Sequence, residues 1–88
     1  MNQPLEDLKE AVELNYQCRA EHIRSAAVCE IFGEELWEGV VEVFDLFGFV
    51  AARRCYAWLE GVEARVTMLE LPPVTSPLMA LRLAHAQG

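Results

Sequence analysis

The chain predicts an α+β fold: an N-terminal helix, an antiparallel sheet of three or four strands and a C-terminal helix. Three observations predict it. The stretches 36–46, 54–59 and 65–71 are rich in β-branched and aromatic residues, the preference of pleated, half-buried backbone. Ahead of them, apolar residues recur at helical spacing from Pro4 to about Ala20. Behind them, Pro72-Pro73 ends the last strand, and Ser76-Pro77 opens an apolar run as an N-cap followed by a first-turn proline. With 88 residues, two cores would leave neither half enough buried surface, so residues 1–88 read as a single α+β domain.

In the first helix Leu5, Leu8, Val12 and Tyr16 form the apolar stripe, widened by Ala11, Leu14 and Cys18. Pro4 suits the first turn, and Glu6 and Asp7 lie near the positive end of the helix dipole. Residues 23–32 carry signals for both helix and strand. We read a short strand at 27–32, turning through Gly33 into a long strand at 36–46. That strand is apolar on both parities, with Trp37, Val41 and Val43 on one and Val40, Phe44 and Leu46 on the other, so both faces require cover. Gly39 is the expected place for a bulge. The connection Phe47–Ala52 is unusually apolar for a loop.

Strands at 53–60 and 63–71 read as a hairpin. A two-residue turn at Gly61-Val62 sets Glu60 opposite Glu63, Trp58 opposite Arg65, Tyr56 opposite Thr67 and Arg53 opposite Glu70. Cys55, Ala57, Leu59, Ala64, Val66 and Met68 then form a core face, and Tyr56, Trp58, Arg65 and Thr67 form an amphipathic one. Trp58 over Arg65 would make a cation–π pair. Leu71–Pro77 reads as an extended arm leading to a helix at 77–86, with Leu78, Leu81, Ala84 and His85 towards the sheet and Arg82 outward.

Hydrophobic residues make up 53 % of the chain, which is more than two short helices can shield on both sides of a sheet. A homo-oligomer, with a dimer favoured, supplies the missing cover. Apolar runs fall short of the roughly 20 residues a bilayer span requires. The N-terminus shows no basic and apolar export signal, and the cysteines Cys18, Cys29 and Cys55 are odd in number. A reducing cytoplasm is the expected location.

Net charge is −7, and 11 of the 14 acidic residues precede residue 48, against only Lys9, Arg19 and Arg24. Phosphate backbones demand clustered cations, so nucleic acid is not an expected partner. A basic protein surface is the alternative partner that this charge suits.

Val40–Leu46, Arg54–Trp58 and Leu71–Pro77 resemble a family of small uncharacterised bacterial proteins encoded as orphan or mobile-cassette reading frames. The resemblance spans about residues 30–85 and implies an α+β fold and no activity. Where that family tends to carry Gly-His-Pro, this chain has Gly48-Phe49-Val50. The order helix, strands, helix is also similar to the double-stranded RNA-binding domain, but the second helix offers only Arg82 and His85 to phosphates.

Candidate ligand or interface residues are Tyr56, Trp58, Arg65 and Thr67, with Phe47 and Phe49 from the apolar connection. Aromatics beside an arginine and a hydroxyl suit a ligand cradle or an interface anchor. Cys18 and His22, four apart on an extended first helix, are weak metal candidates without a second close pair of ligands. Glu34, Glu35, Glu38 and Glu42 read as a solvated acidic surface, with Glu38 and Glu42 on one strand parity. Cys55 has no base near it and is not placed as a nucleophile. No catalytic residue and no cofactor is assigned. A self-associating binding or adaptor module is the leading expectation, with an acidic protein seated on a basic partner, or a small ligand-binding protein or enzyme with a pocket against Tyr56 and Trp58, as alternatives.

Overall fold

A computed structural model describes residues 3–61 and 64–87. Helix α1 (Gln3–Tyr16) precedes strands β1 (Arg19–Phe32), β2 (Glu35–Phe47), β3 (Arg54–Glu60) and β4 (Ala64–Leu69), and helix α2 (Pro77–Gln87) follows. The strands form one antiparallel meander in the order β1-β2-β3-β4. The α+β expectation and the order of elements hold, with most boundaries displaced by a residue or so.

The first correction concerns β1, which starts at Arg19 rather than 27. The helix ends at Tyr16 because Gln17 takes a left-handed φ of 53°, which breaks the helical hydrogen-bond ladder. The chain reverses, and the Ala20 amide donates to the Glu13 carboxylate at 2.9 Å, which fixes the reversal. Residues 19–26 are then drawn into pairing with the far half of β2, with Ala20 opposite Leu46 and Ser25 opposite Glu42. The bulge also moves. It falls between His22 and Arg24 in β1, whereas Gly39 pairs regularly with Val28. At Gly39 a Cβ would lie 3.0 Å from the Trp37 ring, so the missing side chain there accommodates an indole folded back along its own strand. Gly33, at the first position of the two-residue β1–β2 turn, has φ +65°, which only glycine adopts without strain.

The second correction concerns cover. The two helices lie on opposite sides of the sheet, so each face has its own lid. Leu8 and Val12 of α1 bury Ala20, Phe44, Leu46, Cys55 and Ala57. Ala80 and Leu81 of α2, with Val74, bury Val41, Val43, Tyr56 and Trp58 on the reverse face. The both-parity pattern of β2 is thus satisfied within one chain, where a second subunit had been expected to supply one cover.

The segment 71–77 is a turn rather than an extended arm. Pro72–Pro73 is a cis peptide, and the Val74 amide donates to the Leu71 carbonyl at 2.7 Å, which drops Val74 into the core. Ser76 caps α2 as expected, its Oγ accepting from the Met79 amide at 3.2 Å.

The cover is incomplete at one end. The β1–β2 hairpin outruns α1, and on the α1 side of its distal half Ile31, Leu36 and Val40 are 68, 61 and 46 % exposed, beside exposed Ala27 and Cys29.

Candidate functional site

The β3–β4 register decides which candidate residues meet. Glu60 pairs with Ala64, so three residues connect the strands, and the register runs Leu59 with Arg65, Trp58 with Val66, Ala57 with Thr67, Tyr56 with Met68. This is one residue from the expected pairing. Side chains alternate with a period of two, so a one-residue slip transfers all of β4 to the opposite face. Tyr56 and Trp58 therefore share the α2 side with Val66 and Met68, while Arg65 and Thr67 lie on the α1 side. The expected Tyr56/Trp58/Arg65/Thr67 face does not form, and neither does the Trp58–Arg65 cation–π pair. Val62 and Glu63, the other half of the expected turn, lie outside the described residues.

Each candidate has a distinct setting. The Tyr56 hydroxyl donates to the Glu70 carboxylate, and burial with that neighbouring carboxylate raises its pKa. Thr67 Oγ1 accepts from Asn15 Nδ2 at 3.1 Å and lies 2.9 Å from the Tyr16 hydroxyl, tying the end of α1 to edge strand β4. Arg65 is exposed. Phe47 is exposed with the Arg19 guanidinium 5.0 Å from its ring centre, and Phe49 packs at a tilt against Tyr16, ring centres 5.4 Å apart. Arg53 does not stand opposite Glu70: the Glu70 amide donates to the Arg54 carbonyl, and the Arg54 side chain pairs with Asp45 at 3.1 Å.

Cys18 and His22 do not form a helical i, i+4 pair, because α1 ends before either of them. Among the described residues no three metal-ligating side chains converge. His22 instead joins Ser25 and Glu42 on the α1 side, an arrangement that sequence reasoning missed because it placed residues 19–26 outside the sheet. His22 Nε2 and Ser25 Oγ meet the same Glu42 Oε1, at 2.8 and 2.5 Å, and are 3.4 Å from each other. In a nucleophilic triad the imidazole stands between serine and carboxylate, with one nitrogen for each. Here the one nitrogen, Nε2, faces both Glu42 and Ser25, and the serine hydroxyl donates to Glu42 directly, so the imidazole does not stand between them. The trio binds edge strand β1 to β2.

Beneath the C-terminal half of α2 lies a cleft of about 970 Å³ between the hairpin tip and the end of β3. Phe32, Trp37, Trp58 and Val66 form its apolar walls, and Glu30, Glu35, Glu60, Arg82 and His85 its polar rim. Glu60 is the hub. Its Oε1 accepts from Trp58 Nε1 at 2.9 Å and lies 3.2 Å from His85 Nε2, whose ring is 4.0 Å from the Phe32 ring. His85 Nδ1 is buried without a hydrogen-bond partner. Arg82 closes one rim through Glu30, at 2.6 Å. Trp58 was legible as a candidate, but Phe32, Trp37 and His85 lie 26, 21 and 27 positions from it and carry no shared local motif.

No protein-family model, curated protein or solved structure matches the chain at a significant level. Among the described residues, no helix is long and apolar enough to cross a membrane.

Proposed function

We propose that the chain is a binding module of the bacterial cytoplasm that self-associates, with the β1–β2 hairpin as its contact surface and a dimer as its working form. One observation carries this reading: the distal half of the hairpin is left without cover, so Ile31, Leu36 and Val40 stand in water on one side of a sheet that is well packed elsewhere. Exposed apolar surface that is contiguous rather than scattered marks contact sites. The resemblance to small bacterial cassette proteins belongs to the same reading, as does the cytoplasm, which suits the free thiols Cys18, Cys29 and Cys55. Light-scattering mass across micromolar concentrations tests it. A dimer mass that reverts to monomer in Ile31→Glu supports the proposal, and a strict monomer throughout removes it.

The Trp58–Glu60–His85 cleft supports a second reading, a pocket for a small ligand. Quenching of tryptophan fluorescence by members of a metabolite library, lost in Glu60→Gln, would favour it. Silence across a broad library counts against it.

A further inference from the structure

We propose that two copies of the chain join through their β1 edges, antiparallel, with the two-fold axis at Ala27 and residue i opposite residue 54 − i of the partner. This inference rests on the self-association proposed above and specifies its geometry.

The outer strands of the sheet are β1 and β4, and they are not equivalent. Strand β4 is six residues long, is tied to α1 through Thr67, and is followed closely by Pro72-Pro73. Strand β1 is fourteen residues long, and its middle, Ser25-Ala26-Ala27-Val28-Cys29, has no charge, no proline and no glycine. Natural edges are blunted by such residues, and a long edge without them is a template for another strand. The bulge at Ile23 ends regular geometry on one side of this segment, which leaves residues 24–30 as a regular ribbon.

That ribbon is complementary to its own reverse. About Ala27, Arg24 falls opposite the second copy's residue 30, a glutamate, and Ser25 opposite its residue 29, a cysteine. Ala26 meets Val28, and Ala27 meets itself. Arg24 and Glu30 lie on the same side of the sheet, with Val43 and Trp37 as their neighbours on β2, so the two charges meet rather than pass. Among the described residues Arg24 has no ion-pair partner within its own chain, whereas Glu30 is held by Arg82 and would become shared between two guanidinium groups. Moving the axis by one residue either way sets Arg24 against Val28 or Phe32 of the second copy and loses both ion pairs. The join would extend the meander into an eight-stranded sheet with each helix kept on its own side. It would also place Ile31 of one copy beside Ile23 of the other, the two exposed isoleucines of the strand.

Cysteine cross-linking reads the register directly. In Ser25→Cys, mild oxidation should give a disulfide-linked dimer whose linked peptides join position 25 to Cys29. In the unmodified chain the two Cys29 residues lie about 13 Å apart, four residues at about 3.3 Å each, and should not cross-link. Arg24→Glu should weaken the dimer at least about fivefold, and Arg24→Glu with Glu30→Arg should restore it. A dimer by light scattering that forms Cys29–Cys29 links, or none from position 25, overturns this register and leaves self-association standing. A monomer at all concentrations overturns both.

Discussion

The Cys55 thiol lies fully buried between α1 and the sheet, and burial pushes its pKa from the ordinary 9.0 up to about 12. Two consequences follow from that one shift. Thiolate is the reactive form, so alkylation of the native protein at pH 8 should label exposed Cys29 and leave Cys55 untouched, as read by peptide mass spectrometry. The folded state also holds this proton more tightly than the unfolded state does. Its contribution to stability is full below pH 9 and is lost as pH rises from 9 towards 12. Tyr16 and Tyr56, both raised mainly by burial, act in the same direction at higher pH. Urea midpoints should fall across this alkaline range, with a shallower fall in Cys55→Ala. Trp58 is the largest of the fully buried side chains, and its indole N–H is satisfied by Glu60. Trp58→Ala should cost about 3–5 kcal/mol in urea unfolding, because the cavity lies at the meeting of β3 and α2 and cannot collapse without moving both.

Helix α2 illustrates how local signals and tertiary packing share the work. Ser76 and Pro77 start it through chemistry internal to four residues, and Ser76→Ala should lower stability by about 1 kcal/mol, measurable by thermal unfolding, with little change in the sheet. Where the helix lies depends on Leu81 and Ala80, which fill the hollow over Val41, Val43 and Tyr56. Helix α1 shows the converse. Its stripe of Leu5, Leu8, Val12 and Tyr16 is legible in sequence, and all four face the sheet, but its end is not. Gln17 is no standard helix terminator. The stop depends on the pull of Ala20 into the core and on the Glu13 carboxylate that receives its amide. For the same reason the His22–Ser25–Glu42 trio was invisible: its members face one another only once residues 19–26 are paired with β2.

Across the molecule, stability should be distributed unevenly. Strand β3 and residues 42–45 of β2 are interior and covered on both sides, whereas the outer rim of β1 has free backbone groups along its length. Hydrogen exchange should therefore be slowest in β3 and in residues 42–45 of β2. If β1 joins a second copy, amides within 24–30 should gain protection as concentration rises from low to high micromolar, while those of β4 stay constant. Equal behaviour of both edges would count against an edge-specific contact.

Composition and local chemistry by themselves determined the α+β class, the order of the elements, the apolar stripe of α1, the start of α2 and the double-sided apolar character of β2. Each of these follows from residues within a turn or two of one another. Tertiary structure alone decided that the two sides of the sheet are covered by different helices, that β1 begins at Arg19, and that Trp58 keeps company with Glu60 and His85 rather than Arg65. Strand partners are remote in sequence, and a pairing shifted by one position satisfies local preference almost equally well while exchanging every side chain between faces. Only the fit of both cores at once selects between such pairings.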